Sequence, residues 1–421
     1  MVPRLKRFSF FLLLSVFFYP AISMGADLSV APEVRTKAEQ LAKICQDRLV
    51  TNPKDADAWA AWGSALLALG KYPEAIQACQ RAVQLNTKVP DAYGAWAYSL
   101  GKMGKYQQAE QVFNMEIARF PTYKAGFYVW GSMLSEEGHY YEAIPKFRAA
   151  IQLDPQYLKP YHALGRALAH VDKIDEAVDV YVKLLELDPK NAETFRDWGA
   201  TLCQMGNFEL AAEKFKKAVR LSPKDVESYV DWGLALSNMD RMDEGIKKFK
   251  KAIMLNAQIV EPYEYWAKVC VEQGNYDQAV TLCNKVLDLE PKNTTAMDTK
   301  AKILFLQGHY PECIDAAKAV LVLNSKDVEA YNNWGIALNA QGNCADAITK
   351  YQLAVQINNN AATVYKNWGD ALNQLGRYPE ALVKYAKVIQ VRPDMYNPNN
   401  RGLMDDTNKK VEDIKKLTKQ S

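Results

Sequence analysis

The sequence predicts an all-α solenoid built from tandem helix–turn–helix units. Three observations predict it: a 34-residue period, two apolar series in each period, and a glycine between the two series. In the unit at residues 192–225, apolar residues recur at helical spacing on both sides of Gly206, and the second series ends at Pro223. One such helix pair cannot bury its apolar face alone, so neighbouring pairs must stack.

The unit recurs ten times in unbroken register over residues 56–395. The Trp198 position is tryptophan in seven other units, with Leu164 and Lys300 as exceptions: Trp62, Trp96, Trp130, Trp232, Trp266, Trp334 and Trp368. The Gly206 position is glycine in seven others, with Asp172 and Asp240 as exceptions: Gly70, Gly104, Gly138, Gly274, Gly308, Gly342 and Gly376. We therefore predict ten helix pairs, each with its turn at this glycine position.

The pattern resembles the tetratricopeptide repeat (TPR) family, and the resemblance covers about four fifths of the chain. It implies a right-handed α-solenoid whose first helices line a concave groove that holds peptides. The chain departs from the family by placing tryptophan where leucine is usual, just before a small residue such as Gly199. We expect these rings to lie in the core, filling the seam between helices. Unit eight, with Met297 and Lys300 at the two aromatic positions, is expected to be the weakest.

The two ends of the chain differ from the repeats. Residues 1–26 resemble a secretory signal peptide, with a basic start, an apolar run over residues 8–19 and small residues near Gly25. The alternative is an uncleaved anchor, although the run is shorter than the roughly 20 residues that span a bilayer. Residues 27–55 are expected to form an N-terminal capping helix. Residues 396–421 are expected to form a C-terminal capping helix or tail, which starts with a turn-rich break at residues 396–400.

Charge and targeting limit the function classes. The formal net charge is +3, and three of the basic residues lie in the signal segment, so the mature chain is neutral. A neutral chain has no electrostatic footprint for nucleic acid. We expect an exported, periplasmic protein, with secretion or anchoring to the inner membrane by the uncleaved segment as alternatives. Membrane contact is expected only through that segment.

The sequence contains no catalytic or cofactor motif. His162 and His170 are eight residues apart, two helical turns rather than the single turn of a metal-binding pair. We therefore expect no enzyme activity, no cofactor and no metal. The seven cysteines are expected to be mostly buried thiols, with Cys203 and Cys344 the most exposed.

Polar residues beside the tryptophans form the first candidate site. The residue before the tryptophan is an amide or a carboxylate in four units, and further asparagines extend the pattern. Side-chain amides repeated along a groove can bond a peptide backbone at regular intervals. The predicted peptide-binding residues are Asp197, Asp231, Asn332, Asn333, Asn339, Asn367 and Asn373. The alternative is that they are solvated residues near helix starts, where Asn and Asp are common.

A basic face on units four and five forms the second candidate site. Its residues are Lys159, His162, Arg166, His170 and Arg196, and cations in a concavity suit a carboxylate or phosphate. Pairing of these cations with Glu193 or Asp197 is an equally weighted alternative.

These features predict a non-catalytic scaffold or assembly factor that binds a protein or peptide partner. One alternative is a secreted effector that acts on host proteins through the same groove. Another is a polysaccharide-binding or enzyme-accessory module, for which Tyr98, Tyr128 and Tyr265 would be exposed in the groove.

Overall fold

The computed structural model describes residues 32–391 and 398–420; the predicted signal peptide lies outside them. The described residues form 22 α-helices and no strand. The first is α1 Pro32–Thr51 and the last is α22 Pro398–Gln420. The ten helix pairs between them are α2 Ala56–Ala68 and α3 Tyr72–Leu85; α4 Pro90–Lys102 and α5 Tyr106–Arg119; α6 Lys124–Glu136 and α7 Tyr140–Leu153; α8 Leu158–His170 and α9 Ile174–Leu187; α10 Ala192–Gln204 and α11 Phe208–Leu221; α12 Val226–Asn238 and α13 Met242–Leu255; α14 Glu261–Glu272 and α15 Tyr276–Leu289; α16 Thr294–Leu306 and α17 Tyr310–Leu323; α18 Val328–Ala340 and α19 Cys344–Ile357; α20 Ala362–Gln374 and α21 Tyr378–Gln390.

The pairs coincide with the ten sequence repeats, and the all-α solenoid prediction is confirmed. The chain divides into two compact units, Met1–Asp197 and Trp198–Ser421, with the boundary inside α10. Within each of these two compact units, the second helix of a repeat packs against the first helix of the same repeat and against the first helix of the next repeat. Each helix of the described residues is too short or too polar to cross a bilayer.

The turn between the two helices of a repeat has the predicted left-handed residue. All ten positions in the Gly206 register have positive φ. Eight of them are glycines, and the other two are Asp172 at 61° and Asp240 at 60°. The turn closes with backbone bonds from Gly206 N to Cys203 O and from Asn207 N to Leu202 O. These bonds satisfy carbonyls at the end of the first helix, as glycine C-caps commonly do.

Replacing the strained aspartate at such a turn is expected to stabilise the protein. The left-handed conformation costs an L-residue roughly 1 kcal/mol that glycine avoids. We therefore expect Asp172→Gly to raise the free energy of unfolding by about 0.5–1 kcal/mol in urea denaturation, because the side chain of Asp172 is exposed. The matched control is Asp175→Gly in the first turn of α9, which should destabilise. A lower stability for Asp172→Gly would contradict the strain argument.

The glycine after the tryptophan receives a side chain from the second helix of its own repeat. A Cβ built on Gly233 would lie 2.5 Å from the ring of Phe249, and one on Gly199 would lie 2.7 Å from Phe215. The same close approach joins Gly131 to Phe147, Gly165 to Tyr181, Gly335 to Tyr351 and Gly369 to Tyr385. The ring that fills the space between the two helices of a repeat therefore comes from the second helix. The tryptophan packs against the same apolar cluster, as Trp198 does with the cluster that contains Phe215.

The tryptophan rings are less buried than the sequence analysis predicted. Trp130 is 4% exposed, but the other eight are only partly buried. In five repeats a lysine sixteen residues further on covers the ring, with its Nζ 3.3–3.9 Å from the ring centroid. Lys214 and Lys248 are half-buried in these cation–π contacts.

Repeat 8 accommodates its exceptional residues locally. Lys300, at the tryptophan position, is partly buried, and its Nζ donates to Asn284 Oδ1 at 3.0 Å. Cys313, at an alanine position, is fully buried. Whether this repeat is the weakest remains a prediction.

The seven cysteines are free thiols, and six of them are buried. Burial raises the pKa of Cys79 to about 12, so this thiol stays protonated at neutral pH. The expected exposure of Cys344 is wrong: it is buried, and its Sγ lies 3.2 Å from Gln374 Oε1 where α19 packs against α20. Cys203 is only partly exposed.

The last helix packs on repeat 10. Ile414 of α22 is buried in one apolar cluster with Ala381 and Tyr385. The described part of α22 begins at Pro398, within the stretch expected to be a turn.

Candidate functional site

A concave cavity of about 590 Å³ opens between the first helices of repeats 8, 9 and 10. Most of its lining residues are polar, and Tyr351 of the second helix of repeat 9 is among them. Its lining residues are Lys302, Phe305, Leu306, Glu329, Asn332, Asn333, Ile336, Asn339, Ala340, Tyr351, Thr363, Lys366, Asn367, Asp370 and Gln374. The structure thus brings together four of the five predicted asparagines. Asn373 is partly buried and does not line the cavity.

Three of these asparagines also bond the first helices to one another. Asn333 Nδ2 donates to the backbone oxygen of Asp298 at 3.3 Å, and Asn367 Nδ2 donates to Asn332 Oδ1 at 2.8 Å. Asn332 and Asn333 are only 5% and 3% exposed. Asn332, Asn333 and Asn367 therefore hold the repeats in register, and substituting them would lower stability as well as any ligand binding.

Asn339 and Tyr351 are different, because each has a buried polar atom without a partner. Asn339 Oδ1 and Tyr351 Oη lie out of contact with water and within hydrogen-bond distance of no donor or acceptor in the described residues. Both residues line the cavity. Burial raises the pKa of the Tyr351 phenol well above its usual range, so the hydroxyl stays neutral. Asn339 was predicted from the sequence as a groove residue, whereas Tyr351 was not.

The charged groups at the repeat 10 side of the cavity are paired with one another. Lys366 Nζ lies 3.1 Å from Asp370 and 2.9 Å from Asp406, and Lys410 Nζ lies 2.7 Å from Asp370. Tyr385 Oη also donates to Asp370 Oδ1 at 2.7 Å. This network neutralises that wall and ties α22 to the first helix of repeat 10.

At the repeat 8 side, Asp298 has a perturbed carboxyl group. It is 9% exposed, and burial raises its pKa from 3.8 to about 8, with the nearby Asp327 and Glu329 charges acting in the same direction. Asn333 donates to its Oδ1 at 3.5 Å, which partly opposes the rise.

The predicted basic face is largely paired with acidic side chains. His162 Nδ1 lies 3.0 Å from Asp197 Oδ2, and both side chains are more than nine-tenths buried. Arg166 lies 3.9–4.0 Å from Asp197 and Glu193, and Arg196 lies 4.0 Å from Glu193. His162, Arg166 and Arg196 are therefore paired with acidic side chains, as the alternative interpretation expected. Asp197 makes its contact with the first helix of the preceding repeat.

The other members of the predicted basic face are not gathered into one site. Arg166 and His170 line a separate cavity of about 370 Å³, and His170 stacks on Tyr140 with ring centroids 4.2 Å apart. Burial lowers the pKa of Lys159 and of His170. Asp231 is partly buried and does not line the cavity of repeats 8–10.

His162, Glu193 and Asp197 have ligand atoms within 4.8 Å of one another, as a metal site requires. Two guanidinium groups, those of Arg166 and Arg196, already lie about 4 Å from the same carboxylates. These positive charges disfavour a metal cation at the same place.

The aromatics expected for a polysaccharide site are mostly inaccessible. Tyr98 and Tyr128 are each 1% exposed, and Tyr98 Oη donates to Glu136 Oε1. Only Tyr265 is partly exposed. The exposure predicted for Tyr98 and Tyr128 is wrong, because both rings pack in seams between helices.

The architecture is that of a repeat scaffold for protein interactions, with stacked helix pairs throughout the described repeats. Four family models, each described as tetratricopeptide repeat, match residues 56–88, 134–195, 267–293 and 299–362. The chain belongs to the tetratricopeptide repeat family.

Solved structures agree on the fold. Yeast Tom70 superposes with a TM-score of 0.53 at 12% identity, over 96% of this chain and 97% of that one. A tetratricopeptide repeat protein from Parabacteroides merdae superposes with a TM-score of 0.51 at 17% identity, over 59% of this chain and 98% of that one. A comparison with curated proteins returned no match. At these identities the likeness concerns the fold alone.

Proposed function

We propose that this protein is an exported scaffold or assembly factor of the bacterial envelope that holds an extended peptide segment of a partner in the cavity of repeats 8–10. The observation that carries the proposal is the convergence of Asn332, Asn333, Asn339 and Asn367 on one cavity of about 590 Å³. This volume lies in the range typical of ligand sites, roughly 300–1,000 Å³.

The seam bonds support this function because they fix the wall before a partner arrives. Asn333 and Asn367 each bond to the preceding first helix, so little side-chain ordering remains to be done on binding.

Export rests on the basic and apolar segment in residues 1–26. A periplasmic location follows if that segment is cleaved; fractionation of the native host tests it.

The groove is tested by blocking it. Short random peptides displayed on phage are selected against the full chain, and the affinities of the selected peptides are then measured by fluorescence anisotropy. Thr363 is exposed and lines the cavity, so Thr363→Trp should fill it without disturbing the core. We expect this variant to lose about tenfold or more in affinity.

The matched control is Thr349→Trp, which places the same ring on an exposed position of α19 outside the cavity. This control should bind the peptides as the parent does. Equal affinities for the parent and Thr363→Trp would reject the cavity as the peptide site.

A further inference from the structure

We infer that the floor of this cavity is a subsite for a carboxamide, the side chain of an asparagine or glutamine in the bound segment, held by Tyr351 Oη and Asn339 Oδ1. This inference rests on the proposed function and makes it more specific. It starts from the two polar atoms that the fold itself leaves without a partner.

The fold does not require the Tyr351 hydroxyl. At the same register position in repeats 2, 3, 5 and 6, the ring is the phenylalanine Phe113, Phe147, Phe215 or Phe249, and each is fully buried. Tyr351 packs its ring against Gly335 just as Phe249 packs against Gly233. In repeat 10, Tyr385 at this position uses its hydroxyl to bond Asp370. Tyr351 thus adds a buried hydroxyl that costs free energy unless something pairs with it.

The two atoms define the chemistry of a ligand group that can pair with both. Asn339 Oδ1 accepts a hydrogen bond, and a neutral tyrosine hydroxyl can donate one. A group with an N–H donor beside a carbonyl acceptor satisfies both, and that group is an amide. A charged group fits poorly, because the lysines and aspartates of the repeat 10 wall already neutralise one another.

Depth favours a side-chain amide over a backbone amide. Tyr351 is fully buried, and its hydroxyl lies behind the groove surface. A backbone that runs across the first helices stays above them, whereas a carboxamide on one or two methylenes enters between them. Ile336, Phe305 and Ala340 line the same cavity and would contact those methylenes. Asn339 is only partly buried, so a rotation of its side chain admits the ligand.

The test uses the peptides selected on the full chain. We expect asparagine or glutamine at one position in the peptides whose binding Thr363→Trp abolishes. Tyr351→Phe should lower their affinity about three- to tenfold, the usual effect of one hydrogen bond. It should not change the affinity of the same peptides carrying alanine at that position. The melting temperature of Tyr351→Phe should equal or exceed that of the parent, because its hydroxyl has no partner to lose.

The control is Tyr181→Phe, the same substitution at the same register position in repeat 4, which should leave peptide binding unchanged. If Thr363→Trp abolishes binding but Tyr351→Phe does not weaken it, the carboxamide subsite is wrong and the groove stands. The same conclusion follows if the selected peptides carry no carboxamide. If Thr363→Trp leaves binding intact, the proposed function fails and the subsite fails with it.

Discussion

Asp298→Asn is expected to stabilise the protein at pH 8 and to have little effect at pH 4. The carboxyl of Asp298 is buried at the seam between repeats 8 and 9, where its pKa is raised from 3.8 to about 8. The protonated acid can donate to Asp327, whereas the ionised one adds a third negative charge to those of Asp327 and Glu329. An asparagine keeps the donor and never ionises.

The sign follows from proton linkage. Between pH 3.8 and about 8 the folded state binds more protons at Asp298 than the unfolded state does, so stability falls as the pH rises. The contribution is fully present below the unfolded pKa and is lost by about pH 8. If water does not enter the contact between repeats 8 and 9, a pKa change of this size lowers the free energy of unfolding by an amount on the order of 5 kcal/mol.

The measurement is the difference in urea unfolding free energy between Asp298→Asn and the parent, taken from pH 4 to pH 9. Using the difference removes the titration of other groups, among them the buried Glu116. Asp346→Asn, at an exposed position in the first turn of α19, is the control and should show no such trend. A difference that stays constant across this pH range would mean that Asp298 ionises normally.

The sequence was sufficient for the fold because the signals that specify it are local. The 34-residue period, the apolar spacing and the turn residue each act within one repeat, and even Asp172 and Asp240 adopt the left-handed turn that their register demands. The packing role of the tryptophan was predicted less well. Its partner is a lysine sixteen residues away, and a lysine pattern by itself is typical of a solvated face.

The candidate site was predicted only in part, because the role of a polar residue on a first helix depends on the residues of the adjacent repeat. Asn332 and Asn333 both line the cavity, yet both also take part in bonds between first helices. Asp197 has the register of Asn333 but pairs with His162, a residue supplied by the preceding repeat. Such pairing depends on which residue the adjacent repeat contributes, and periodicity does not specify that. Tyr351 was missed since an aromatic in the second helix indicates core; tyrosine in place of phenylalanine was the available signal.

A second large effect is expected where repeat 2 meets repeat 3. Glu116 is 1% exposed, and neither of its carboxylate oxygens has a hydrogen-bond partner within residues 32–391 and 398–420. Burial, with the nearby Asp91 charge, raises the pKa of Glu116 well above its usual range. A glycine makes room for the side chain: a Cβ on Gly126 would lie 2.9 Å from Glu116 Cδ.

The preceding seam shows how the same place is filled without a buried acid. There, Ala82 and Ala92 occupy the register positions of Glu116 and Gly126, and both are fully buried. The double variant Glu116→Ala/Gly126→Ala copies that pair. We expect it to be more stable than the parent at pH 7 by about 2–4 kcal/mol, because it removes an unpaired buried carboxyl and a helical glycine.

The single variants identify the coupling between the two positions. Gly126→Ala alone should destabilise by about 1–3 kcal/mol, because the new methyl group meets the Glu116 carboxyl. The same substitution made in the Glu116→Ala background should stabilise, which is a change of sign that two independent sites cannot give. Because the raised pKa makes the parent lose stability as the pH rises above about 4.5, the advantage of the double variant should grow with pH. If the two substitutions have additive effects on stability, Gly126 is not there to accommodate Glu116. If the stability gain of the double variant does not depend on pH, Glu116 finds water or a partner in solution.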